Sequence, residues 1–194
     1  MNWIERFFVR AKHWQLFLLF VATLVVMEVV AFGSFSAAEK SPEAATTAML
    51  LIAALTGLCM LCFLLWLWSV GSFLSSVVQP TLRLRTRFFL FSVVYSSVYV
   101  FGFGAIFQSI NSKLFAVIIP LHLFAMYCIF YCLVFVAKNL VMAETGRRVT
   151  FYDYAGPFFL VWFYFIGVWF IQPRINRLYA GKRNAESRAE ATAI

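Results

Sequence analysis

Charged residues are scarce in this chain of 194 residues: Asp, Glu, Lys and Arg make up 12%, about half the share of a typical soluble domain. No stretch is polar enough to form a soluble domain, and the longest polar segments are residues 138–155 and 174–194. There is no phosphate-binding glycine loop, no zinc-protease helix motif and no serine nucleophile elbow. No internal repeat of the transporter kind is visible either. With 4 cysteines, the chain is not a disulfide scaffold. These absences weigh against an enzyme, because no acid, base and nucleophile converge at a water boundary.

What the chain has in excess is apolar surface. It is 63% apolar and 20% aromatic. A soluble fold of this size has too little interior to hide that much. The sequence therefore predicts an integral membrane protein.

A membrane helix needs about 20 apolar residues. Four runs qualify: residues 14–35, 47–70 (with apolar character continuing to 78), 88–110 and 114–137. Trp14, Trp66 and Trp68 fall near their expected water boundaries, and Pro42, Pro80 and the Asn111-Ser112-Lys113 turn lie between them. Gly71 marks a place where the long second helix is expected to bend. A fifth apolar stretch, residues 156–172, is shorter and almost half aromatic.

Charge arranges these runs. Positive residues beside span ends favour the cytoplasmic side. Arg6, Arg10 and Lys12 put the N-terminus inside, and Arg83, Arg85 and Arg87 follow on the same side, as do Lys138, Arg147 and Arg148. If residues 156–172 cross the membrane, the five cations of the tail go outside and the split is 9 against 7. If the segment returns to its own side, the split is 14 against 2. The second arrangement obeys the rule far better.

The expected fold is all-α: a four-helix transmembrane bundle plus a fifth short aromatic segment, re-entrant or interfacial, with five spanning helices as the alternative. The parts are a cytoplasmic N-terminus (1–13), the bundle (14–137), a cytoplasmic loop (138–155), the aromatic segment (156–172) and a basic cytoplasmic tail (173–194), read as a short helix followed by disorder. A cleaved secretory signal over residues 16–38 is the competing reading of the N-terminus, opposed by Glu28 and by the length of the apolar run.

A few residues stand out. Glu28 is the only acid inside an expected span and His122 the only histidine. Counted along their helices, the two lie at similar depth, so an intramembrane polar pair is expected, serving as a lock, a gate or a proton relay. Cys59 with Cys62, and Cys128 with Cys132, share helical faces. They read as small apolar packing residues, and no metal or cofactor is expected. Ala53 with Gly57 and Ser92 with Ser96 form small-residue faces suited to close helix packing.

The net charge of +8 is accounted for by orientation in the membrane and by anionic headgroups, so direct nucleic-acid binding is not expected. Arg83, Arg85, Arg87, Arg147, Arg148, Asp153, Arg174 and Arg177 are the residues expected to meet a partner or lipid headgroups.

The C-terminal pattern around Asp153-Tyr154, Gly156, Phe158-Phe159-Leu160, Trp162-Phe163, Ile166 to Trp169 and Ile171-Gln172-Pro173-Arg174-Ile175-Asn176 resembles that of small, uncharacterised bacterial multi-pass membrane proteins. That resemblance implies a bacterial inner membrane location. In size and plan the chain is also similar to the membrane subunit of two-gene anti-phage systems such as Kiwa, in which a small four-helix protein works with a soluble one.

The function expected from all this is a non-enzymatic membrane anchor or sensor, homo-oligomeric, that recruits a cytosolic protein through its basic inner face. The alternatives are an oligomeric channel lined by Glu28, Ser96, Ser97, Gln108 and His122, and a small proton-coupled transporter.

Overall fold

A computed structural model describes residues 2–38, 41–106 and 112–192. Its regular structure is helical throughout: α1 (Trp3–Arg10), α2 (His13–Ala38), α3 (Pro42–Val77), α4 (Thr86–Ile106), α5 (Ser112–Thr145), α6 (Phe151–Trp162) and α7 (Tyr164–Thr192). Helices α2, α3, α4 and α5 each carry a stretch long and apolar enough to cross a membrane. The chain is an all-α protein built on a transmembrane bundle.

The spans run further than the apolar runs suggest. Helix α3 has 36 residues and α5 has 34, each about 50 Å at 1.5 Å per residue. Ser41 caps the start of α3, accepting from the Ala44 N–H at 3.2 Å, and Pro42 fills the first turn, where its missing donor costs nothing. Helix α3 runs on without a break through Gly71. That glycine makes room for the Phe89 ring of α4, which a Cβ at position 71 would overlap. Phe89 in turn stacks on Phe135 of α5 with centroids 4.2 Å apart.

The expected loop over residues 138–155 is a correction. Helix α5 continues through it to Thr145, because Leu140, Val141 and Met142 are buried and extend its packed face. It stops at Gly146, whose φ of 64° is the left-handed cap geometry that glycine adopts without strain, and whose N–H closes onto the Met142 carbonyl at 2.9 Å. Residues 146–150 alone lie outside the helices before α6 begins.

The aromatic segment is a helical hairpin. Helix α6 climbs along α5, with Tyr154 facing Lys138 at 6.0 Å and Trp162 meeting Phe130 at 4.6 Å. The chain turns at Phe163. Helix α7 then runs back along α3: Tyr164 lies 4.8 Å from Phe63, Tyr179 lies 5.8 Å from Phe73, and Lys182 reaches Ser76 at 3.1 Å. At the turn, Gly167 abuts the Leu160 carbonyl so closely that a Cβ would overlap it. The segment therefore returns to the end of the bundle it left. The tip lies about 22 Å along α5 from its last residue, where Trp162 meets Phe130. The tail differs from its expectation: α7 is one helix of 29 residues reaching Thr192, not a short helix followed by disorder.

Packing is uneven along the bundle. The buried core, including Leu64, Leu67, Leu74, Phe89, Val136 and Ile171, occupies the half nearer the ends of α3 and α5. In the other half the apolar side chains face outward, with Val29 and Phe32 of α2 66% and 78% exposed. Exposed apolar surface on that scale needs lipid or protein cover.

Candidate functional site

The end of the bundle where α3 and α5 terminate gathers α1, the α3–α4 link, the α5–α6 link and the exit of α7. Its centre is Gln172, a fully buried amide. Its Nε2 lies 2.9 Å from the Phe8 carbonyl and 3.0 Å from that of Ala11, while its Oε1 accepts from the Trp66 indole at 3.3 Å. One turn on, Asn176 accepts from Gln172 through its Oδ1 at 3.0 Å and donates from its Nδ2 to the Ala11 carbonyl at 3.3 Å. Phe8 and Ala11 close the end of α1, where helix carbonyls have no internal donor. Amide N–H groups are the neutral donors that satisfy them without burying a charge. Gln172 thus ties α1, α3 and α7 together at one point.

Helix α1 escapes the apolar-run reading because it is amphipathic and short. Glu5 folds back to accept the Asn2 N–H at 3.1 Å, closing the start of the helix. Phe8 and Val9 face the core while Trp3 and Phe7 are exposed. The motif containing Gln172 and Asn176 is visible in the sequence, but neither residue stands out there. The signal that was available for α1 is the Asn2-to-Glu5 spacing ahead of alternating apolar and charged positions.

The cations expected to meet a partner divide into two groups. Arg147 pairs with Asp153 at 2.7 Å and donates to the Arg148 carbonyl at 3.1 Å. Asp153 also accepts from the Thr150 N–H at 2.7 Å and its hydroxyl at 2.9 Å, capping α6. Hydrogen bonds from Arg147 and Thr150 hold the Asp153 carboxyl far below the usual carboxylate range, and Asp153 in turn raises the Arg147 guanidinium. Arg174 pairs side-on with Glu144 at the end of α5, through its Nε at 2.7 Å and its Nη2. These residues pin the two ends of the hairpin to the same end of the bundle.

Arg83, Arg85, Arg87, Arg148 and Arg177 are exposed. The α3–α4 link explains Arg83 and Arg85, while Arg87 lies in the first turn of α4. Leu82 and Leu84 pack onto a small cluster of Val78, Val141, Met142 and Val149, so the alternate residues are turned outward.

The expected Glu28 and His122 pair does not form. Glu28 is exposed on α2. The His122 Nδ1 instead lies 2.9 Å from the Tyr99 hydroxyl of α4, with its ring 5.7 Å from that of Tyr99. Depth along a helix sets height but not azimuth, and α5 turns this face to α4, away from α2.

Of the small residues expected to serve close packing, Ala53 is exposed on α3. Ser92 and Ser96 are fully buried on α4, and a Cβ at Gly57 of α3 would meet the Phe101 ring in ordinary contact at 3.6 Å. Cys128 and Cys132 are buried, and Cys59 and Cys62 half-buried. Among the described residues no group of three or more His, Cys, Asp or Glu gathers as a metal site. Gln108 and Asn111 lie outside the described residues.

Fold and site together define an all-helical, membrane-embedded protein with a helical hairpin and a cation-rich end. No family model, no curated protein and no solved structure matches the chain.

Proposed function

We propose that this chain is a non-enzymatic membrane anchor or sensor subunit whose basic end recruits a cytosolic protein with an acidic surface. The observation that carries this reading is the outward display of Arg83, Arg85, Arg87, Arg148 and Arg177 on one end of the bundle, beside the exposed last turns of α7. Exposed cations on a rigid frame steer an oppositely charged partner and speed its encounter. The positive-inside rule favours a cytoplasmic placement of this end and both termini, and the C-terminal resemblance favours a bacterial inner membrane. Paired reporter fusions after Ile194 test the placement, and activity of the externally competent reporter alone would overturn it. Affinity capture tests the recruitment: replacing Arg83, Arg85 and Arg87 with Gln should release the partner. If the captured proteins are unchanged, the recruitment reading is wrong.

The subunit is further proposed to be a homo-oligomer. Glu28, exposed about 22 Å along α2 from His13, is a carboxylate on a face otherwise fit for lipid. Carboxylates within spans are expensive and face protein or water, so a second copy is the natural cover. The same observation supports a second reading, an oligomeric channel in which Glu28 from several copies lines a cation path. Liposome flux that persists in Glu28→Ala would remove it. The proton-relay reading loses the Glu28 and His122 pair it was built on. By plan alone, the subunit reading extends to bacterial defence, and phage plating on cells with and without the chain checks that extension.

A further inference from the structure

A second feature of the basic end does not depend on any captured protein. Where α1 meets α7, a cavity of about 360 Å³ is lined by Arg6, Phe73, Tyr179, Lys182, Arg183 and Glu186. The four α7 residues among them have the i, i+3, i+4, i+7 spacing of one helical face, and that face looks back at α1 and the last turns of α3. The floor is apolar: Phe73 is buried, and its ring lies 5.8 Å from that of Tyr179. The wall is cationic, three positive side chains against the single carboxylate of Glu186. Lys182 is not loose, since its ammonium donates to the Ser76 hydroxyl at 3.1 Å.

We propose that this cavity binds a phosphate monoester, carried by an anionic lipid headgroup or by a small soluble molecule. A phosphate monoester bears about 1.5 to 2 negative charges, which matches the excess of cations in the lining. Two guanidinium groups offer paired planar donors to phosphate oxygens, and an ammonium adds a compact third charge. Tyr179 and Phe73 provide an apolar seat for the carbon skeleton behind the phosphate. Glu186 stands on the rim as an acceptor for a ligand hydroxyl and a barrier to a second anion. Arg6 brings α1 into the site, and Trp3 and Phe7, exposed on the same helix, suit the headgroup level of a bilayer.

The test uses the full chain in phosphatidylcholine nanodiscs. Native mass spectrometry follows retention of added phosphatidic acid, and thermal unfolding follows a titration with inorganic phosphate. Retention of the lipid by the wild type assigns the lipid source, and a rise in Tm with inorganic phosphate assigns the soluble one. In either case Lys182→Gln and Arg6→Gln should each weaken binding about tenfold, the scale of a lost charge-assisted hydrogen bond. Arg188→Gln removes the same charge from α7 outside the cavity and should leave binding within twofold of wild type, about 0.4 kcal/mol. Glu186→Gln should strengthen it, and Lys182→Arg should hold it near wild type. Far-ultraviolet circular dichroism checks that each variant keeps its helicity. Equal loss in Lys182→Gln and Arg188→Gln would show only a diffuse basic surface and overturn the site. So would the failure of the wild type to bind either probe.

Discussion

Gln172 shows how much a single neutral side chain does in this chain. Its amide satisfies carbonyls at the end of α1 and receives the Trp66 indole, all in a buried setting. Replacing it with Leu removes the donors and leaves buried carbonyls unpaired, at a cost of about 1–3 kcal/mol. The damage should fall on α1, because α7 keeps Ile171 and Ile175 in the core. Limited trypsin digestion should therefore cut Gln172→Leu at Arg6 and Arg10 several-fold faster than wild type, with the hairpin intact. Unchanged cleavage there would mean that α1 is held by Phe8 and Val9 alone.

Asp153 offers a pH signature at the same scale. Its folded carboxyl is held below the usual carboxylate range by Arg147 and Thr150, so the stabilising contacts need the charged form. Their contribution is complete above about pH 4, the ordinary carboxylate value, and is lost as pH falls below it toward the depressed folded value. Hydrogen exchange at the Thr150 and Asp153 amides should rise on acidification below that value. In Asp153→Asn it should already be raised at neutral pH and change little with acid. A wild type whose exchange there ignores pH would show that the cap is held by the backbone.

At the scale of elements, the hairpin of α6 and α7 is where sequence and structure meet most closely. Residues 156–172 are too short and too interrupted for a comfortable span, and the cation count favours return to the same side. The ion pairs of Arg147 with Asp153 and Arg174 with Glu144 tie both hairpin ends to one end of the bundle. Single cysteines at Tyr152 and Asn184, both exposed positions, should react with an impermeant maleimide from the same side of the membrane in a background lacking the four native cysteines. Labelling from opposite sides would establish a fifth span.

What was legible followed from local composition. Four spans are long apolar runs, and no partner is needed to see them. What was hidden depends on contacts between distant segments. The role of Gln172 requires α1, whose short amphipathic pattern carries no membrane signal. The end of α5 lies beyond its apolar run, because Lys138 and Asn139 look like a water boundary in the sequence alone. In the structure Asn139 is buried and donates to the Phe135 carbonyl at 2.8 Å, so the helix runs on. Lys138 meets the Tyr154 ring, a partner that only the hairpin supplies.

At the scale of the molecule, the two halves of the bundle are built differently. The half at the basic end has a core of aromatic and aliphatic side chains braced by the hairpin. At the hairpin tip lies an apolar cavity of about 340 Å³, lined in part by Met27, Thr56, Met126 and Trp162. The Thr56 hydroxyl turns to the Met27 sulfur at 3.3 Å, so even this polar group is used internally. Glu28 is the exception, one residue beyond Met27 yet exposed. If a second copy covers it, Glu28→Leu removes a polar contact between copies, and single-molecule photobleaching in nanodiscs should count fewer copies per disc. If Glu28 meets only lipid, the same change removes a polar group that is costly within a span. The copy number would then stay constant while resistance to thermal unfolding rises. The two outcomes move different observables, so one variant separates an oligomer contact from a carboxylate that the bilayer merely tolerates.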